Sequence, residues 1–207
     1  MEQQKISTRL NYETIREWMN NMGKKQFGDS FHIGSKEAGV KAMVAWAISH
    51  EKAAKDLGID LKKGLLVAGL GSRKNQIMDL IRLFTLAPDY HPRFEVVTCS
   101  FIDNAFSVNG PSAISPYITS NRKQKKAFCF TELGKELKSR HYSVSCYIME
   151  QIIHIRCEHY FREGILTHVT TSLTSAEIES RYGFPLRDYL KNNFNRIVIR
   201  DEEDDGS

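Results

Sequence analysis

No apolar run anywhere in the 207 residues approaches the roughly 18 to 20 needed to cross a bilayer. The opening MEQQKISTRL also lacks the apolar core that a secretory signal carries. The expectation is a soluble, cytoplasmic protein with no membrane partner. Cysteine is sparse too: Cys99, Cys129, Cys146 and Cys157 lie far apart with no C-x-x-C pair, which excludes the usual zinc-ribbon and redox spacings. Each sits in a largely apolar stretch, where a reduced thiol packs as a small hydrophobe. HIRCEH offers His154, Cys157 and His159 as a metal set, but its histidines stand five residues apart and do not share one helical face. No metal is expected. Internal repeats are lacking, and so is low complexity before the last residues.

What is present is apolar material enough for one core: 41% of the side chains are hydrophobic, in a length usual for a single domain. The formal net charge is +4, yet the final RDEEDDGS carries five acids, Asp201 to Asp205, and without them it is +9. The result is a basic body with an acidic tail. Basic residues gather at Lys62 and Lys63, at Arg73 and Lys74, and in NRKQKK, which holds Arg122, Lys123, Lys125 and Lys126. That last run is the candidate nucleic-acid contact, weak and indifferent to sequence because it would touch phosphates. No aromatic residue interleaves it as a stacking platform would require, so a solvated loop is the simpler reading.

Residues 1–30 read as an N-terminal extension, polar apart from YETIREWMNNM. There Ile15, Trp18, Met19 and Met22 recur at helical spacing behind Asn11 as a cap. A longer helix is predicted over SKEAGVKAMVAWAISHEKAAKDLG, opened by Ser35, striped by Val40, Met43, Val44, Ala47 and Ile48, and closed by Gly58. From Gly64 onward short apolar runs alternate with helical ones, the mark of parallel strands joined by crossover helices. The predicted strands are Leu65 to Ala68, Phe94 to Ser100, Ala127 to Thr131, Ile165 to Thr171 and Arg196 to Arg200. The predicted helices are Asn75 to Leu86, Ser143 to Phe161 and Thr174 to Tyr182, the last opened by a capping box of Thr174 and Glu177. Turn formers between Phe101 and Gln124 predict a short helix and a loop. Residues 31–200 are expected to form an α/β domain and 201–207 an acidic, disordered tail.

A strand that enters a glycine turn and opens a helix aims backbone N–H groups and a helix N-terminus at one point, the arrangement that holds phosphate. KKGLLVAGLGSRKNQIMDLIRLF has that layout. The pattern G-x-x-x-x-G-K-[ST] uses its second glycine for backbone room, its lysine for phosphate charge and its hydroxyl for magnesium. Counted from Gly69, this chain offers Gly69, Leu70, Gly71, Ser72, Arg73, Lys74, Asn75 and Gln76. Lysine thus stands for the second glycine, asparagine for the lysine and glutamine for the hydroxyl. Downstream, AFCFTELGKE has the form of an apolar strand that ends in two acids, the first for magnesium and the second for the attacking water. Here the first is Thr131, and only the second, Glu132, is a carboxylate.

KKGLLVAGLGS, FTELGKE, RHYSVSCYIMEQIIHIRCEHYFREGILTHVTTSLTSAEIESRYG and LKNNFNRIVI, in this order and spacing, resemble the DnaC-type helicase-loader ATPases of the AAA+ class. The resemblance is in particular to the versions in Bacteroides-group bacteria and their phages, and it covers roughly Phe31 to Ile199. The resemblance implies a P-loop NTPase fold of the AAA+, RecA-like kind, an α/β parallel sheet of about five strands flanked by helices behind an N-terminal helical segment. It also implies ATP and magnesium as the cofactors of a working relative, and a replicative helicase or a related loader subunit as partner. Carried over by position, the family's magnesium aspartate falls on Thr131 and its catalytic glutamate on Glu132. The sensor strand ends in Thr170, Thr171 and Ser172 where the family has threonine, threonine and asparagine. The second arginine of an R-Y-G-x-R stretch falls on Pro185, after Arg181, Tyr182, Gly183 and Phe184. A later arginine falls on Tyr189, with Arg187 two residues away on another helical face.

Most of these changes remove a charge or a polar group from the place where γ-phosphate or magnesium would be. The expectation is therefore a degenerate ATP site in a protein that works by partner binding in DNA replication, with nucleotide binding weak or absent. Arg73 and Lys74 at the helix start keep weak anion binding open. Two other readings remain: an active loader in which Lys74 reaches phosphate from one position early while Glu132 serves both metal and water, and a nucleic-acid-binding adaptor with no nucleotide.

Overall fold

The structure, a computed structural model, describes residues 12–85, 93–118, 126–137, 139–141 and 144–200. Strand β1 (Gly64–Ala68) shows what the rest must supply. Successive side chains of a strand point to opposite faces, and Leu65, Leu66 and Val67 are all buried, so both faces of the sheet need cover. β1 pairs in parallel with β6 (Thr167–Thr171) on one side and β7 (Phe194–Val198) on the other. β6 pairs in parallel with β3 (Ala127–Leu133), and β3 with β2 (Phe94–Thr98). The chain is an α/β protein whose five-stranded parallel sheet runs β2-β3-β6-β1-β7.

Helices α1 (Tyr12–Phe27), α2 (Ala38–Ala47) and α4 (Arg73–Phe84) cover one face, where Met19, Met43, Trp46, Ile77 and Ile81 pack with Leu65 and Val67. On the other face α5 (Cys99–Asn109), α7 (Ile148–Glu163), α8 (Ser175–Tyr182) and α9 (Phe184–Asn193) bring Ile102, Ile152, Ile178 and Leu190 against Leu66, Phe130 and Val169. Each such side chain contributes roughly 1.5–3 kcal/mol by leaving water. Trp46 is fully buried, edge-on to His168 at 4.8 Å, and its Nε1 donates to the Lys63 carbonyl at 2.9 Å. His168 in turn accepts the Leu65 N–H at Nδ1, 3.1 Å away, which ties β6 to β1 through a side chain.

Several sequence expectations are redrawn. The helix predicted to run from Ser35 to Gly58 is two: α2 opens after Glu37, and α3 (Glu51–Asp56) starts again after Ser49, whose φ is +52°. His50 caps α3 by accepting the Ala53 N–H at 3.1 Å, a better end for α2 than continuing into solvent. Gly58, at φ +68°, closes α3 as expected. The strand predicted to Ser100 stops at Thr98, whose hydroxyl caps α5. The helix predicted from Ser143 begins at Ile148, since Val144–Cys146 (β5) pairs antiparallel with Ser139–His141 (β4). The last strand starts earlier than Arg196, at Phe194, and the capping box on α8 is present with both of its bonds. The 101–124 stretch contains most of α5, a 3-10 turn at Gly110–Ala113 and α6 (Ser115–Ile118); residues 119–124 and Asn11 lie outside the described residues. No helix among the described residues is long and apolar enough to cross a membrane.

Cys99, Cys129 and Cys157 are free and buried, as their apolar settings predict. Burial pushes the Cys157 thiol up to about 12 and raises those of Cys99 and Cys129 as well. Thiolate, not thiol, is the nucleophile. Iodoacetamide at mild alkaline pH should therefore modify these three at least ~100-fold more slowly in the folded protein than in urea, as followed by peptide mass mapping. Modification of any of them at the rate of a free thiol would contradict the burial.

Candidate functional site

The glycine turn follows β1 as the sequence predicts. Gly69 has no room for a side chain: its φ is +158°, and a Cβ there would stand 2.2 Å from the Ile199 carbonyl oxygen. Gly71 takes a left-handed φ of +62°, which swings the chain into α4. Ser72 accepts the N–H groups of Asn75 and Gln76 with its carbonyl, while its side chain makes no capping bond. Leu70 at the tip of the turn is 73% exposed.

Lys74, second residue of α4, is 0% exposed. Its ammonium lies under the turn and donates to the Gly71 carbonyl at 2.6 Å and to Ser172 Oγ at 3.0 Å. Arg73 goes the other way and joins the turn to the segment before α2, with Nη2 at 2.7 Å from both the His32 carbonyl and Glu37 Oε1. Gln76 is half-buried further along α4.

The end of β3 is irregular, with a shift of register against β6 between Phe130 and Leu133. Such bulges re-aim side chains. Thr131 is buried at 3% exposure, and Glu132 takes φ +63°, a strained value for a residue with a Cβ. The strain is held by neighbours: the Glu132 N–H donates to Thr170 Oγ1 at 2.9 Å, and Thr170 Oγ1 donates to Asn75 Oδ1 at 2.5 Å. Asn75 Nδ2 donates to Glu132 Oε1 at 3.3 Å, and Lys135 Nζ reaches the same oxygen at 2.5 Å. Because β6 lies between β1 and β3, the turn, the end of β6 and Glu132 meet at the strands' C-terminal ends. Thr171 faces the backbone instead, donating to the Leu133 carbonyl at 2.7 Å and accepting the Leu173 N–H at 3.0 Å.

These residues do not fit a magnesium nucleotide. Magnesium needs oxygen ligands, carboxylates foremost. Among the described residues the carboxylate in this network is Glu132, and it is paired with Lys135. Thr131 offers a neutral hydroxyl in its place, and both ends of the Asn75 amide are engaged. Lys74 spends its ammonium on the turn's own carbonyl rather than presenting it to a phosphate. Among the described residues no group of three His, Cys, Asp or Glu side chains is placed to hold a metal, and Cys157 Sγ donates to the Ile153 carbonyl instead.

Behind the acid, α8 is latched to the turn after β3. Tyr182 donates its hydroxyl to the buried Glu136 carboxylate, which also accepts the Gly134 N–H at 2.9 Å, and Arg181 donates to the Glu136 carbonyl. Burial, then the Glu136 charge, raises the Tyr182 phenol. The Arg181 guanidinium lies over Tyr147, 4.8 Å from the ring centre. Pro185 stands in the first turn of α9, where a missing N–H is harmless. Arg187 pairs with Glu179 at 3.0 Å, and Tyr189 packs edge-on to Phe194.

The structure joins Lys74 to Ser172, and Asn75 to Glu132 and Thr170, while Arg73 bonds Glu37 and the His32 carbonyl. Arg122, Lys123 and Lys125 lie outside the described residues; Lys126, the next in that basic run, pairs with Glu95 across β2 and β3 at 2.8 Å. Sequence reasoning missed Lys135 and Glu136 as partners, although Lys135, three residues after Glu132 in TELGK, was within reach of it by spacing alone. Nothing local pointed to Glu37 as the acid that holds Arg73.

Neither a family model nor a curated protein matches this chain. Among solved structures, the crystal structure of the DnaC helicase loader is similar over 67% of this chain and 78% of that chain, with 15% sequence identity and a TM-score of 0.46.

Proposed function

We propose that this chain is a DnaC-like AAA+ module of DNA replication that acts by binding a protein partner, a replicative helicase or a related loader subunit, and does not turn over ATP. The observation that carries this reading is Lys74: its ammonium is out of solvent and bonded to the Gly71 carbonyl and Ser172, so the lysine nearest the turn is engaged with the turn itself. Support from the sequence comes from Thr131 in place of the magnesium aspartate and from Pro185 and Tyr189 in place of two arginines. Each substitution removes charge that a phosphoryl-transfer site uses. A site freed from hydrolysis can keep its fold for docking alone.

One observation favours the second reading, an ATPase with unorthodox residues. The turn is one residue shorter than the G-x-x-x-x-G-K-[ST] pattern, and this brings Lys74 rather than Asn75 under it, with Asn75 beside Glu132. Calorimetric titration with magnesium and ATP, followed by phosphate release, separates the two. We expect a dissociation constant weaker than about 1 mM and turnover far below ~1 s⁻¹. Lys74→Met should then lower thermal stability with no measurable further loss of an ATP affinity already that weak. Turnover on the ~1 s⁻¹ scale that Glu132→Gln abolishes overturns the proposal in favour of the second reading.

A further inference from the structure

Helix α5 turns Cys99, Ile102 and Phe106 into the core and leaves its other side bare. On that side Phe101 is 60% exposed and Val108 is 80% exposed. They stand two helical turns apart, about 10.5 Å along one stripe, with Asn104 exposed and Ala105 half-buried between them. Single apolar side chains on a surface are ordinary. What sets this stripe apart is the absence of charge around it. Charged residues make up 26% of the chain, yet from Cys99 to Ile118, through the 3-10 turn and α6, the one charged residue is Asp103. Asp103 is itself buried, on the far side of the helix, where its Oδ2 accepts the Leu137 N–H at 3.3 Å. The exposed polar residues here, Ser107, Asn109, Ser112 and Ser115, are all neutral.

A face of this kind suits a second copy of the same chain. Interface cores are poor in charge, and two copies of a molecule with net charge +4 repel one another through the basic parts of their surfaces. They meet without that opposition where no charge is exposed. The stripe is also its own complement. Asn104 and Ala105 lie at its midpoint, so a twofold axis there runs two α5 helices antiparallel and sets Phe101 of one copy against Val108 of the other, twice over. Beside the axis, the Asn104 amide carries both donors and an acceptor, which lets it pair with its own counterpart. We propose that the chain forms a weak, twofold homodimer through α5. A standard interface engages roughly 20–30 residues a side. One helix with the turn and α6 beside it supplies fewer, so the dissociation constant should be on the order of 10 μM. The pairing uses the face of the sheet opposite α4 and holds whether or not the glycine turn binds nucleotide.

Sedimentation equilibrium of the full chain, from about 1 to about 500 μM, tests the proposal. The mass should rise from that of the 23.8 kDa monomer toward twice that value. Between about 0.1 and about 1 M salt the dissociation constant should change less than about threefold, because no ion pair is there to be screened. Phe101→Lys and Val108→Asp should each raise it at least ~10-fold, since a charge then faces an apolar side chain. Both positions are exposed, so circular dichroism should show each variant folded. An equimolar mixture of the two variants should associate at least about threefold more tightly than either alone, because the antiparallel arrangement sets the introduced ammonium of one copy against the introduced carboxylate of the other. A monomer at every concentration overturns the proposal. So does a dimer that neither substitution weakens, or a mixture that recovers nothing.

Discussion

Alanine at position 64 should remove much of the protein's stability. A Cβ on Gly64 would stand 1.8 Å from the Thr167 carbonyl oxygen on β6, and that obstacle is backbone rather than the movable end of a side chain. β1 is paired on both edges, so any shift that makes room is felt by the ladders to β6 and β7 together. Displacing packed backbone in this way costs about 3 kcal/mol or more, against a typical total of about 5–15 kcal/mol. For a chain of this length the melting temperature should fall by roughly 10 °C. Calorimetry of the Gly64→Ala protein decides the matter, and a drop under about 3 °C would mean that the strands part without resistance.

The second large effect is expected at Arg156, a charged side chain on α7 with 4% exposure. Its Nε donates to Thr167 Oγ1 at 2.8 Å, its Nη1 to the Tyr117 carbonyl at 2.9 Å, and its Nη2 to the carbonyls of Lys126 at 2.9 Å and Leu166 at 3.2 Å. The guanidinium also lies 4.9 Å from the Phe128 ring centre. One planar group thus ties α6 and the starts of β3 and β6 to a helix. Burial lowers its pKa to about 10, which leaves it charged at neutral pH. Arg156→Ala strips the donor from three carbonyls and a hydroxyl in the interior, at about 1–3 kcal/mol for each group left unsatisfied. We expect a total loss of about 3–5 kcal/mol in urea unfolding, and Arg156→Lys to recover less than half of it because an ammonium cannot span the fork. A loss within about 1 kcal/mol for Arg156→Ala would show that water replaces the guanidinium at no great cost.

Glu132 shows how closely fold and site are joined. A left-handed glutamate at a bulge is held only because Thr170 on the next strand accepts its N–H, and that same hydroxyl donates to Asn75 under the glycine turn. The side chains of Thr170, Asn75, Glu132 and Lys135 thus hold one another.

Much of this was legible in the residues themselves. LLVA and AFCFT read as strands because parallel strands covered on both faces are apolar without interruption. The cap on α8 was legible because Thr174 and Glu177 are three residues apart and satisfy each other locally. The break at Ser49 was not. The stripe from Val40 to Ile48 has helical period, and what stops it is the covered position of Trp46 and the competing cap at His50. The hairpin of β4 and β5 was equally hidden, since strands of three residues each carry too little pattern to be told from the start of a helix.

By itself the sequence determined the local pieces: which runs are strands, where α8 begins, that a glycine turn opens a helix, and that Thr131 and Asn75 bring no charge to their positions. Those follow from forces acting over a few residues. Only the tertiary structure decided that β6 lies between β1 and β3, that Lys74 turns onto Gly71 and Ser172, and that Lys135 and Asn75 share one oxygen of Glu132. Those contacts join residues as far as 98 positions apart. What selects them is the burial of both faces of the sheet at once, which no short stretch of chain encodes.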